Sequence, residues 1–160
     1  MFTITKQFSL VYGHRLWNQT EPPCQCRHLH GHSALLSIEL ASDYLMSGMV
    51  LDFNCFKHFG ALLDLLDHKM ILDSHDPLVP ILCALGDFSS RTVDDFTILS
   101  SDNSVSGELL GGLVLIPMEP TSEILCKMIF KMAQKWLGFD IQVLSVSLQE
   151  TLNNRASYHE

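Results

Sequence analysis

The chain has 160 residues, 47% of them apolar and 18% charged, which suits one globular domain with a real core and excludes a disordered chain. A net charge of −8 excludes a broad basic surface for nucleic acid. No apolar run reaches the roughly 18–20 residues of a membrane span. The opening, MFTITKQFSL, alternates apolar and polar residues; it reads as a strand and not as a signal peptide, so the expected compartment is cytoplasmic.

Residues 2–13 and 33–43 alternate and are rich in strand formers, making an expected antiparallel pair joined by a loop containing Glu21-Pro22-Pro23. From about Asn54 to Leu66 the period becomes helical. Phe56, Phe59, Leu62, Leu63 and Leu66 form one face, and Asp52 or Asn54 can cap the start. Between Asp73 and Glu119 lie eight acidic residues and one basic residue, Arg91, so this segment carries nearly all the net charge. It reads as an acidic elaboration, broken by Pro77, Pro80, Gly86 and Ser/Asp clusters. Within it, Phe96–Ser100 and Leu113–Pro117 form an expected extra hairpin.

Pro120 and Thr121 open a second helix, with Glu123 in its first turn and Gly138 after its end. Ile124, Leu125, Met128, Ile129, Met132 and Trp136 form its core stripe, and Lys127, Lys131 and Lys135 its solvated row. Residues 140–149 return to strand alternation, and 156–160 read as a short last strand. The expectation is an α+β domain over 1–160: a four-stranded antiparallel sheet with two helices, in the order strand, strand, helix, helix, strand, strand.

Five cysteines, at 24, 26, 55, 83 and 126, are odd in number and unevenly spaced, which argues against a disulfide framework. Cys55 and Cys126 fall in helical stretches and read as buried, inert thiols.

The chemically informative stretch is Cys26-Arg27-His28-Leu29-His30-Gly31-His32. On extended backbone His30 and His32 point the same way, a natural pair of metal ligands, and Gly31 leaves room for close approach. His14, ending the first strand, is placed to be the third. Three imidazoles with an open fourth position are the layout of a catalytic zinc. Cys26 is a candidate base, its thiol within reach of the metal's field and of Arg27; taken alone it serves equally as an inert cysteine. Asp67-His68 can be a carboxylate-oriented proton donor or merely a charge pair at a helix end. Glu150 can accept from a guanidine-like heterocycle edge or be an exposed strand end.

Taken in order, CRHLHGH, GMVLDF, LDH, EPTSE and LQET resemble the 6-pyruvoyltetrahydropterin synthases and their bacterial 6-carboxytetrahydropterin synthase relatives, over residues 2–72 and 116–158. The resemblance implies the tunnelling fold, assembled as trimers or dimers of trimers with active sites between subunits. The Cys-x-x-x-His-Gly-His spacing resembles the carboxytetrahydropterin synthases of queuosine (7-deazapurine) biosynthesis. It thus implies a lyase converting 7,8-dihydroneopterin triphosphate to 6-carboxy-5,6,7,8-tetrahydropterin, acetaldehyde and triphosphate.

Carried over by position, His14, His30 and His32 bind Zn2+, Cys26 is the base, and Asp67 with His68 is the proton relay. Glu150 anchors the pterin, assisted by Thr121, Ser122 and Thr151. Arg15, Arg27, Lys69 and Arg155 adjoin these residues and are candidates for the triphosphate. Pyruvoyl-type elimination on the same substrate, and a non-catalytic pterin- or metal-binding role, are the alternatives. Two departures stand out: Leu10-Val11-Tyr12-Gly13 before His14, where relatives carry small residues, and the acidic segment 73–119.

Overall fold

A computed structural model describes residues 1–19, 24–86, 89–100, 111–137 and 141–160. The Glu21-Pro22-Pro23 loop, Gly138 and the Ser/Asp cluster beyond Ser100 lie outside the described residues. The chain runs β1 (Phe2–His14), β2 (His30–Ser42), α1 (Phe56–Leu63), β3 (Lys69–Asp73), α2 (Leu78–Cys83), β4 (Ser89–Val93), β5 (Phe96–Ser100), β6 (Leu113–Ile116), α3 (Ser122–Leu137), β7 (Gln142–Gln149) and β8 (Arg155–His159). It divides into two compact units through which β1 and β2 both run.

The first unit comprises Met1–Leu10, Ser33–Asp64 and Ser122–Glu160. Its strand order is β1-β2-β7-β8. β2 and β7 pair antiparallel from Leu35↔Gln149 to Ala41↔Gln142, with a bulge between Glu39 and Leu40, and β8 pairs antiparallel with β7. Period-two alternation buries Leu36, Ile38 and Leu40, while the stripe of α3 buries Leu125, Met128, Ile129 and Met132. Phe8 of β1 meets Phe56 and Phe59 of α1 at ring-centroid distances of 6.1 and 5.9 Å, and Trp136 of α3 meets the same two rings at 5.6 and 5.3 Å.

Phe59 is fully buried in this cluster. Phe59→Ala is therefore expected to cost about 3–5 kcal/mol, read as a lowered urea midpoint. Asp52 caps a 3-10 turn at Phe53–Cys55 by accepting the Asn54 N–H at 2.8 Å, and α1 begins only after that turn. Cys55 is consequently exposed, not buried as expected, because it precedes the helical stripe instead of lying on it. Cys126 is buried as expected, and burial pushes its thiol up to about 12.

The second unit comprises Val11–His32 and Leu65–Thr121, with strand order β4-β5-β6-β3-β1-β2. The α+β class stands, but the element order is longer than strand, strand, helix, helix, strand, strand. The expected hairpin forms, as β5 pairs antiparallel with β6 at Thr97↔Leu115 and Ile98↔Val114. β4 extends it through Ser90↔Leu99 and Thr92↔Thr97. β3 sits between β1 and β6 and is parallel to both, pairings that depend on long connections and leave no local turn signal in the sequence. Leu72, Val79, Leu99 and Leu113 form the core here, with Met70, Leu78, Leu82, Cys83 and Leu115 packed against them. Among the described residues no helix is long and apolar enough to cross a membrane.

Candidate functional site

His14, His30 and His32 all belong to the second unit, and one ring nitrogen from each lies within 4.8 Å of the others. His14 is buried; its ring centroid is 4.5 Å from that of His30 and 5.1 Å from that of His32. The close approach of β1 and β2 depends on Gly31, where a Cβ would stand 3.1 Å from the backbone oxygen of Tyr12. The tyrosine ring lies against His14 and His32 at 5.3 and 5.8 Å.

Two of the three rings are oriented by backbone carbonyls. His14 Nδ1 donates to Pro120 O at 2.7 Å, and His30 Nδ1 donates to His28 O at 2.8 Å. A carbonyl only accepts, so each contact assigns the proton to Nδ1 and places the ring's lone pair on Nε2. His14 Nε2 lies 3.1 Å from His32 Nε2. Two nitrogens each about 2.0–2.1 Å from a tetrahedral ion would be separated by about 3.3 Å, so the rings fit a shared metal ion. The trio could hold such an ion, as expected from the strand alternation; the orienting carbonyls left no signal, because every residue carries one.

Asp67 and His68 are clamped to β1 by a single residue. Asp67 Oδ1 accepts the Val11 N–H at 2.8 Å, and the His68 N–H donates to Val11 O at 2.6 Å. His68 has φ +55°, a left-handed conformation uncommon for a residue with a side chain, and this double tie holds it there. Its exposed ring donates from Nδ1 to Asp67 Oδ2 at 2.7 Å, which turns Nε2 outward.

Burial would raise the Asp67 carboxyl, but the Val11 N–H and the His68 ring outweigh it and hold the group below its ordinary value. A depressed carboxylate contributes stability at pH values above its unfolded value of about 4 and loses it as pH falls below that. Acid unfolding below about pH 4 is thus expected to be shallower in Asp67→Asn, which a titration followed by circular dichroism would read.

Cys26 lies, partly buried, in a 3-10 turn at Gln25–Arg27. Its N–H donates to Cys24 Sγ at 3.4 Å, and its carbonyl accepts the Leu16 N–H at 2.8 Å. Arg27 is exposed in the same turn, and His28 closes it, outside the strand. Arg15 has its guanidinium engaged on both oxygens of buried Asp76, and Lys69 Nζ donates to Gly111 O at 2.9 Å. Trp17 Nε1 donates to Asp73 Oδ2 at 3.1 Å, and the Asn18 N–H to Glu119 Oε1 at 2.7 Å. Burial, reinforced by Asp73 and Asp76, pushes the Glu119 carboxyl up, against the pull of the Asn18 N–H. Asp73, Asp76 and Glu119 were not expected near the site; the acidic excess of their segment was the only hint.

In the first unit, Glu150 and Thr151 line a pocket of about 310 Å³ with Ser33, Leu35, Gln149 and Leu152. Thr151 Oγ1 accepts the N–H groups of Asn153 and Asn154 at 3.3 and 3.1 Å, closing the turn into β8, where Arg155 is exposed. Ser122 is the first residue of α3, and the Thr121 N–H donates to Glu119 O at 2.8 Å.

Three imidazoles grouped in this way could hold a metal ion, and the Asp67–His68 pair is tied to Val11 of the strand that ends in His14. The sequence matches the family described as 6-pyruvoyl tetrahydropterin synthase over residues 3–160, and the chain belongs to that enzyme family. It is 30% identical to the 6-carboxy-5,6,7,8-tetrahydropterin synthase of Aquifex aeolicus, over 98% of this chain and 97% of the relative. It is 28% identical to the protein of the same name from Haemophilus influenzae, over the full length of both. A solved structure of an uncharacterized protein from Wolinella succinogenes superposes with a TM-score of 0.87 at 30% identity, covering 99% of this chain and 98% of that one. The 6-pyruvoyltetrahydropterin synthase of Plasmodium vivax shares the tunnelling fold, with a TM-score of 0.65 at 18% identity over 100% of this chain and 99% of that one.

Proposed function

We propose that the protein is a zinc-dependent 6-carboxy-5,6,7,8-tetrahydropterin synthase of 7-deazapurine (queuosine) biosynthesis, acting in the cytoplasm. It converts 7,8-dihydroneopterin triphosphate and one water to 6-carboxy-5,6,7,8-tetrahydropterin, acetaldehyde and triphosphate. The observation that carries this reading is the convergence of His14, His30 and His32, one ring nitrogen from each lying within 4.8 Å of the others. The names of the Aquifex and Haemophilus relatives support the choice of reaction. Residues 1–160 are read as one catalytic domain and 73–119 as its elaboration.

Bound zinc would supply a Lewis acid that acidifies the hydroxyls of the substrate's side chain. Cys26 would take a proton from a side-chain carbon as thiolate. His68, held by Asp67 through Nδ1, would carry protons on its outward Nε2. Glu150 would receive the paired N–H groups of the pterin edge in its pocket, with Thr121, Ser122 and Thr151 assisting. Arg27 and Arg155 are exposed and suited to the triphosphate, whereas the fork of Arg15 already faces Asp76. The assembly proposed is a trimer or dimer of trimers with the substrate held between subunits, as the family resemblance implies.

The test is product analysis of the zinc-loaded protein with 7,8-dihydroneopterin triphosphate, following acetaldehyde and the pterin by mass. Equimolar acetaldehyde and 6-carboxytetrahydropterin are expected. Triphosphate release without acetaldehyde would instead establish the pyruvoyl-type elimination for which the family is described. Zinc binding without turnover would establish a non-catalytic pterin- or metal-binding protein.

A further inference from the structure

The four residues after His14 are each tied down in turn. Arg15 forks onto Asp76, the Leu16 N–H donates to Cys26 O, Trp17 Nε1 donates to Asp73, and the Asn18 N–H donates to Glu119. Three of these four ties end on carboxylates at the two ends of the acidic segment: Asp73 and Asp76 where β3 leaves the sheet, and Glu119 after β6. The two ends are joined to each other by the Ser74 N–H donating to Ile116 O at 2.7 Å. The peptide following Glu119 supplies the Pro120 carbonyl that orients His14. One short stretch, Glu119-Pro120, therefore grips both the ring of His14 and the backbone four residues beyond it.

We propose that Asp76 and Glu119 are positioning residues of the metal centre, fixing the chain after His14 so that its Nε2 meets those of His30 and His32. Asp76 acts through Arg15, and Glu119 through Asn18 and the Pro120 carbonyl. The acidic segment thereby gains a definite task beside its own core. The groups that orient metal ligands typically change affinity by 10–100-fold when lost, because the free ring then samples rotamers the metal cannot use. This proposal rests on the metal reading of the histidine trio.

The experiment measures Zn2+ affinity by competition with a chromophoric chelator, and the visible spectrum of the Co2+-substituted protein, in the full chain. Asp76→Asn and Glu119→Ala are expected to lose about 10–100-fold in affinity and to alter the Co2+ bands. Glu119→Gln keeps an acceptor for the Asn18 N–H and is expected to stay within about threefold of the parent. Leu99→Ala, which opens a cavity in the core of the same unit, is the control: it should lower stability with affinity and spectrum retained. Parent-like affinity in both Asp76→Asn and Glu119→Ala would overturn the proposal while leaving the metal reading intact. A parent protein that binds no Zn2+ would overturn both.

Discussion

His32→Ala is expected to lose bound zinc and to lower kcat by on the order of 10³-fold or more, the equivalent of several kcal/mol of lost Lewis-acid stabilisation. The geometry makes His32 the informative ligand to remove. His14 is buried and bonded to Pro120 O, so its loss also strands a carbonyl; His30 is bonded to His28 O in the turn that carries Cys26. His32 contributes its Nε2, 3.1 Å from that of His14, and lies within β2. Metal content by atomic emission should fall with activity, and the melting temperature of the metal-free protein should change little. An active, zinc-free His32→Ala protein would remove the metal from the mechanism.

Cys26→Ala is expected to separate chemistry from metal binding. A positioned proton-transfer group contributes typically 10²–10⁴-fold, so kcat should fall by about that factor with zinc content unchanged. The local fold should survive, because Cys26 ties the turn through its own backbone: its O accepts the Leu16 N–H, and its N–H donates to Cys24 Sγ. Rapid-quench turnover and metal analysis on the same preparation would check this. Loss of zinc in Cys26→Ala would make the thiol a ligand and not a base, and full activity would pass the role to another group.

The contrast between the two variants shows where sequence reading reaches and where it stops. His30 and His32 were legible because period-two alternation on a strand fixes their common direction whatever else the chain does. The stripes of α1 and α3 were legible for the analogous reason at period 3.6. β3, with only Lys69–Asp73, is too short to show a period, and its partners lie on either side through parallel pairing set by distant connections. The short α2 carries Pro80 in its first turn, where the ring is tolerated but reads in the sequence as a break.

The support of the site was the least legible part. Arg15 and Asp76 are 61 positions apart, Val11 and Asp67 are 56 apart, and His14 reaches a carbonyl 106 positions away. No local pattern encodes such pairings; they exist only once β3 and β6 have joined the sheet beside β1. The acidic excess of 73–119 was visible as a number, yet its meaning lay in which carboxylates reach the chain after His14.

The tryptophans give this arrangement a built-in optical readout. The chain has two, and each compact unit holds one: Trp17, three residues beyond a histidine of the trio and bonded to Asp73, and Trp136, packed on Phe56 and Phe59. An indole donating to a carboxylate and an indole among apolar rings emit from different surroundings. Trp136→Phe leaves fluorescence that reports the strap after His14 alone, and Trp17→Phe leaves fluorescence that reports the helix cluster alone. Metal loading and the melting of each unit can then be followed by emission wavelength, each in its own single-tryptophan variant, without attaching any dye.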